Sequence, residues 1–262
     1  MKAAGKVLLV GAGPGDPELL TLKAVKAIAS ADVILVDDLV NPEVLSHAQS
    51  SARVISVGKR GGCRSTPQAL IERLMVREAQ AGNRVVRLKG GDPCIFGRAG
   101  EERERLQAAG ISVEIISGIT VGIAGPASFG IPVTHREVST GVVFVTGHTR
   151  GDGEPDWAAL AATKLTLVIY MGFARASHIA SALLAAGLAT NTPVAVIAHA
   201  TTPQADAMLC TLSELKFDPL PPRLSSPAII VVGEVVKYGA LQNEEMPLVE
   251  NFNLARIATT AQ

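Results

Sequence analysis

The chain has 262 residues, of which 48% are hydrophobic, enough for one large or two modest packed domains. Lys plus Arg balances Asp plus Glu at 24 each, so no overall field gathers nucleic acid or an anionic membrane surface. Aromatic residues make up only 3%, which argues against stacking on single-stranded bases. Cys63, Cys94 and Cys210 are far apart and read as reduced thiols of a cytoplasmic protein. Neither they nor the five histidines have metal-ligand spacing, so no metal is expected.

The N-terminus runs directly into an apolar strand, "KVLLVG", with no apolar stretch and cleavage site of a secretion signal. A helix is expected around 17–30. Strands follow at "DVILVDD" and "ARVISVG". Thr66 as cap and Pro67 at the first helical position open "PQALIERLMVREAQAG", which Gly82 ends. After the strand "RVVRLKGGD", the helix "GRAGEERERLQAAG" carries its charges on one face and stops at Gly110. "SVEIIS" is the fifth strand. The uncharged window 115–133 imitates a membrane span, but its glycines and Pro126 and Pro132 would break a spanning helix. It reads as a strand end, a glycine-rich turn and a short buried helix.

Beyond "IPVTHREVSTG" the strands come closer together: "VVFVTG", "LTLVIYMG", "TPVAVIAHA", "AMLCTL" and "AIIVVGEVV", with one strong helix, "RASHIASALLAAG". The pattern predicts two α/β domains: 1–138 with a mainly parallel sheet, and 139–240 with a mixed sheet. A polar tail over 241–262 completes the chain. Ligands of open α/β sheets sit beyond the carboxyl ends of the strands. Gly11 to Asp16, Asp37 and Asp38, Lys59 and Arg60, Gly90 to Asp92, and Gly118 to Thr120 all fall at such ends, as do Met171-Gly172 and His199-Ala200.

The first loop, Gly-Ala-Gly-Pro-Gly-Asp, departs from the dinucleotide fingerprint. Pro14 removes an N–H that a pyrophosphate would need, and Asp16 puts a carboxylate where the third glycine should be. Asp37, about twenty residues after the loop, would suit a dinucleotide ribose, yet the loop chemistry fits a ligand without phosphates better. S-adenosylmethionine, with an amino-acid end and a sulfonium cation, is such a ligand. In "RLKGGDPCIFGRAGEE" two glycines permit close backbone approach, Asp92 before Pro93 fixes a turn, and Arg98 and Glu101 share a helix face. A turn leading into an exposed charged helix would also give that pattern.

The segments "VGAGPGDPELLTLKA", "VGKR", "RVVRLKGGDPCIFGRAGEE", "GIPVTHR", "VTGH", "YMG" and "SPAIIVVGEVV" resemble, in order from about residue 6 to 237, the tetrapyrrole methylases. Within them the likeness is to the uroporphyrinogen-III C-methyltransferases. The resemblance implies a tetrapyrrole methylase-like fold with an active-site cleft between the two domains, a homodimer, and the cofactor S-adenosylmethionine, released as S-adenosylhomocysteine. It implies cofactor contacts at Pro14, Gly90, Gly91, Asp92, Ile95, Thr120, Val121, Met171 and Ala200. Uroporphyrinogen III is the implied substrate, methylated at C2 and C7 to precorrin-2 through precorrin-1, for sirohaem, cobalamin or haem d1.

On the same resemblance Asp37 is the proton acceptor and Lys59 a proton donor, with Asp38 sharing or dividing that duty. Arg98 and Arg136 anchor substrate carboxylates, helped by Lys59, Arg60 and Arg64. Glu101 meets pyrrole N–H groups or orients Arg98, unless it merely pairs with Arg105. The length leaves no room for a fused dehydrogenase-chelatase or synthase module, so a monofunctional enzyme is implied. Cys94, where relatives carry Phe, and "AHAT" at 198–201 depart from the family pattern. Competing readings are a methylase of a later corrin intermediate, a nicotinamide dehydrogenase, and a non-catalytic cofactor sensor.

Overall fold

The computed structural model describes residues 5–58, 66–148 and 153–242. The apolar runs of the first half form β1 (Lys6–Gly11), β2 (Val33–Val36), β3 (Arg53–Ser56), β4 (Val85–Lys89) and β5 (Ser112–Ile116). They pair in the order β3-β2-β4-β1-β5, and every pairing is parallel. Parallel pairing needs a crossover between strands; α1 (Leu22–Ala29), α2 (Gln68–Gln80) and α3 (Ala99–Ala108) supply three of the four, and a 3₁₀ segment, Pro42–His47, joins β2 to β3.

Side-chain alternation sorts the two faces of this sheet. Val7, Leu9, Val33, Leu35 and Val85 pack with Ile71 and Met75 of α2 and Leu106 of α3. Leu8, Val10, Ile34, Val86 and Leu88 pack with Ala24 and Ile28 of α1. Both faces are covered, as near-continuous apolar strands require.

The expected helix over 17–30 is two pieces. Pro17–Leu19 is a 3₁₀ turn capped by Asp16, and α1 starts afresh behind Thr21, whose Oγ1 accepts a hydrogen bond from Ala24 N at 3.1 Å. The start of α2 also differs from expectation. Pro67 is the cap residue itself, without a side-chain cap bond, while Thr66 Oγ1 donates to Gly58 O at 3.5 Å. In α3 the charges do not all share the outer face, because Glu102 is fully buried. Its partners on β4 explain that below.

The later strands are β6 (Val142–Thr146), β7 (Thr166–Tyr170), β8 (Pro193–Ala198), β9 (Asp206–Thr211) and β10 (Ala228–Val232), ordered β6-β7-β10-β8-β9. Only β6 and β7 run parallel; the other pairings are antiparallel, giving the mixed sheet anticipated from the closer strand spacing. One face packs with α6 (Ala176–Ala185) and with two helices that the apolar pattern did not single out, α5 (Trp157–Ala162) and α7 (Leu212–Phe217). Thr211 and Glu214 form a capping box at the start of α7.

The helix α4 (Val121–Ser128) lies against β7 and β10, and α8 (Val236–Gln242) against β8. The chain accordingly divides into a unit ending at Thr120 and a second beginning at Val121. This division lies earlier than the 138 that the sequence pattern suggests, because α4 packs on the second sheet. The membrane-like window is the end of β5, a turn and α4, in which Gly122, Ala124, Gly125 and Pro126 are buried. Among the described residues no helix is long and apolar enough to cross a membrane.

Candidate active site

At the carboxyl end of the parallel sheet, the loops after β1, β4 and β5 meet through their main chains. Ala12 N donates to Lys89 O at 2.8 Å, Gly13 N to Gly91 O at 3.3 Å, and Gly91 N back to Gly13 O at 2.7 Å. Gly13 and Gly91 both have left-handed φ, +77° and +67°, a conformation that favours glycine. A Cβ on Gly11 would lie 2.5 Å from Gly118 N, and one on Gly118 only 2.3 Å from Gly91 O. Glycine at 11 and 118 is therefore a steric requirement. Asp92 ties the arrangement: Oδ1 accepts from Cys94 N at 2.7 Å and Oδ2 from Gly118 N at 3.0 Å.

These bonds test what the loops can hold. The N–H groups of Ala12, Gly13, Gly91, Cys94 and Gly118 are taken by carbonyls or by Asp92, and Asp16 Oδ1 accepts from Glu18 N at 2.8 Å. Pro14 has no N–H to give. Backbone donors turned inward and two carboxylates make a poor pyrophosphate cradle. They fit a ligand with a cationic centre and no phosphate, and so fit S-adenosylmethionine.

Beside these loops Asp37 joins three buried charges that sequence reading missed, Arg87, Lys89 and Glu102. The side chains of Arg87 and Lys89 leave β4 on the α2/α3 face, the face of Val85, and both residues are buried. Arg87 donates from Nη2 to Asp37 Oδ2 at 3.0 Å and from Nε to Glu102 Oε1 at 3.3 Å. Its Nη1 reaches Leu88 O at 3.2 Å and Leu35 O at 3.5 Å. Lys89 Nζ lies 3.2 and 3.3 Å from the two Glu102 oxygens, and Gln68 Nε2 donates to Glu102 Oε1 at 3.0 Å. Burial, reinforced by the Arg87 charge, pushes the Lys89 ammonium below its usual pKa. The available signal was the strand "VVRLK" itself. Alternate charged positions in a buried parallel strand demand a counter-charge nearby.

Asp37, just past β2, has a side chain about a third exposed, and its Oδ1 accepts from Asp38 N at 3.2 Å. Asp38 is exposed, and its carboxylate lies where a Cβ on Gly58 would be, 2.3 Å from Oδ1. The two acids thus have different environments. Lys59, Arg60, Arg64 and Cys63 lie outside the described residues.

The turn after Asp92 is tightly wound. Ile95 N donates to Asp92 O at 3.2 Å, and Phe96 and Arg98 have φ of +53° and +58°. Arg98 caps α3 from this left-handed position and grips Glu101 with two hydrogen bonds, 2.9 Å from Nε and 2.5 Å from Nη2. That hydrogen-bonded pairing raises the Arg98 pKa further above its ordinary value. Of the roles weighed for Glu101, orientation of Arg98 has direct geometric support. Thr120, buried, ends the first unit.

In the second unit Val121 opens α4, whose Gly122 N donates to Tyr170 Oη at 2.9 Å. A Cβ on Gly122 would sit 2.1 Å from that hydroxyl, and one on Gly125 would sit 3.3 Å from Ala200 Cβ. Met171, directly after β7, is exposed and left-handed at φ +54°. Ala200 is buried between His199 and Thr201, which have φ of +47° and +64°. His199 Nε2 pairs with Ser225 Oγ at 2.9 Å, which occupies the ring nitrogen of this departure from the family pattern. Arg136 is exposed on a tight turn closed by paired hydrogen bonds between His135 and Ser139, at 2.8 and 2.9 Å. The His135 ring stacks on Tyr238 at 4.2 Å. Among the described residues no group of three metal-ligating side chains occurs.

Residues 6–216 match the family model for Tetrapyrrole (Corrin/Porphyrin) Methylases. A uroporphyrinogen-III C-methyltransferase of Pseudomonas aeruginosa is 58% identical over 234 residues, 89% of this chain and 95% of that protein. The enzyme of that name from Bacillus subtilis is 50% identical, over 89% of this chain and 92% of its own. The solved uroporphyrin-III C-methyl transferase from Thermus thermophilus, complexed with S-adenyl homocysteine, superposes with a TM-score of 0.79 at 39% identity. It covers 93% of this chain and 98% of its own.

Proposed function

The chain belongs to the tetrapyrrole (corrin/porphyrin) methylases, and from that premise we propose that it methylates uroporphyrinogen III at C2 and C7. The reaction gives precorrin-2 by way of precorrin-1. The observation that carries this reading is the likeness along nearly the whole chain to uroporphyrinogen-III C-methyltransferases, and the five glycine-loop N–H groups already bonded within the protein disfavour a pyrophosphate.

When bound, S-adenosylmethionine supplies an electrophilic methyl group and leaves as S-adenosylhomocysteine. Pro14, Gly90, Gly91, Asp92, Ile95, Thr120, Val121, Met171 and Ala200 are the residues that would hold it. Most of these offer backbone or apolar surface, so the chain contributes orientation and exclusion of water. An electron-rich pyrrole carbon needs little activation as a nucleophile. The proton displaced from the tetrapyrrole must be removed, and Asp37 accepts it, with Lys59 as donor. Asp37 suits that task because one edge of its carboxylate is held by Arg87 while its side chain remains partly exposed. Arg98, oriented by Glu101, and Arg136 bind substrate carboxylates; a guanidinium matches a carboxylate with two parallel hydrogen bonds. We place the protein in the cytoplasm as a homodimer, with no nucleic-acid or membrane partner.

Anaerobic incubation with uroporphyrinogen III and S-adenosylmethionine, with products resolved by mass, tests the reading. Gain of two methyl groups is expected. One methyl group would place the end of the reaction at precorrin-1, and none, with the cofactor bound, would move the substrate to a later corrin intermediate.

A further inference from the structure

The four charges beside Asp37 form a directed arrangement. Arg87, Lys89 and Glu102 are buried, and only Asp37 has a side chain about a third exposed, so the group opens to solvent at a single carboxylate. Two cations and two anions cancel, as a buried cluster requires, because an uncompensated charge there would cost several kcal/mol. Each nitrogen of the Arg87 fork is engaged: Nε with Glu102, Nη1 with the carbonyls of Leu35 and Leu88, Nη2 with Asp37. A planar guanidinium fixed at three points has one orientation, so Asp37 Oδ2 is held in one place. Asp38 N fixes Oδ1 in turn. Glu102 keeps this fork in register while neutralising Lys89, and through Gln68 it also fastens the start of α2.

We infer that Arg87 is a positioning residue for the Asp37 carboxylate, and that Glu102 is the buried counter-charge that holds Arg87 to that task. The inference rests on Asp37 as the proton acceptor. It assigns work to Arg87 of the "RLKGGDP" segment and Glu102 of the "AGEE" segment, both buried. The logic is that of any acid–base site in which a third group orients the base.

The test compares Arg87→Lys, Arg87→Met, Glu102→Gln, Asp37→Asn and the double variant Arg87→Lys/Asp37→Asn. For each, kcat and KM for methyl transfer and the affinity for S-adenosylhomocysteine by calorimetry are measured. A misplaced base lowers kcat and leaves ligand binding alone. Arg87→Lys is expected to keep KM and S-adenosylhomocysteine affinity within about threefold while kcat falls about tenfold or more. Arg87→Met should fall further, so that lysine partly rescues, and Glu102→Gln should lower kcat in the same sense. The double variant should be no slower than Asp37→Asn alone, since the arginine acts through that carboxylate. Wild-type kcat in Arg87→Lys, or a double-variant loss equal to the product of the single losses, would overturn the inference.

If Asp37→Asn itself turns over at the wild-type rate, the proton-acceptor reading fails separately. The positioning claim is then decided by the ¹³C carboxyl signal of Asp37 in labelled protein. A changed shift in Arg87→Lys sustains it, and an unchanged one sinks it. The same signal decides the matter if Arg87→Met does not fold.

Discussion

Cys210 and Cys94 show how far placement alone separates two identical thiols. Cys210 sits within the second unit's core, and burial together with the Glu214 charge pushes its thiol up to about 12. Cys94 is exposed on the turn after Asp92. Because the thiolate is the reactive species, iodoacetamide at pH 8 should alkylate Cys94 and spare Cys210 until the protein is unfolded. Peptide mass mapping with and without denaturant reads this directly, and native labelling of Cys210 would contradict its burial. Glycines divide in the same way. Gly118→Ala must displace the Gly91 carbonyl and should destabilise by about 1–3 kcal/mol. Gly100→Ala, in α3 with open space around it, should stabilise by up to about 1 kcal/mol. Urea denaturation of the two variants, which should move in opposite directions, checks both.

At the scale of elements, Glu78 near the end of α2 ties that helix to its surroundings. Its Oε1 accepts from Arg77 at 2.8 Å, and its Oε2 from Arg53 of β3 and from Asn83 at 3.0 Å. Hydrogen bonds from Arg77 and then Arg53 hold this carboxyl below the ordinary range of a glutamate. A depressed native pKa means that the unfolded chain binds the proton first as pH falls. The contribution of Glu78 is therefore complete above about 4.5 and is lost as pH drops through the lower native value. Glu78→Gln should cost about 1–2 kcal/mol at pH 7, and the difference from wild type should shrink towards pH 3, as urea midpoints across that range will show. The elements themselves were legible where they are periodic: the strands of the described residues fall in the apolar runs that announce them, β9 beginning one residue earlier at Asp206. The start of α2 was misread because Thr-Pro fits two cap geometries. In the structure Thr66 Oγ1 donates to Gly58 O, and Pro67 takes the cap position.

For the molecule as a whole, the two-sheet plan and the parallel-to-mixed change were legible, since crossover lengths and strand spacing dictate them. Strand order was not. Nothing local in "KVLLVG" says that β1 lies between β4 and β5. Nor did the helical pattern disclose Glu102, because a glutamate on a charged helix normally faces water, and only tertiary pairing with Arg87 and Lys89 reverses that. Turn geometry was legible, as at Asp92, and buried charge was hidden. Net neutrality, which over the sequence says only that long-range steering is absent, recurs within the core as two cations facing two anions.

The meeting of Gly11, Gly91 and Gly118 has a consequence for how the protein is made. These glycines follow or end three adjacent strands, β4, β1 and β5, whose order in space is not their order in the chain. During synthesis, the loop after β1 emerges early and waits for β4, and both wait for β5, before the main chains can close on one another. Until the residues around 118 leave the ribosome, the carboxyl end of the sheet has no finished rim. Ligand binding by a nascent chain therefore begins only after the fifth strand is in place.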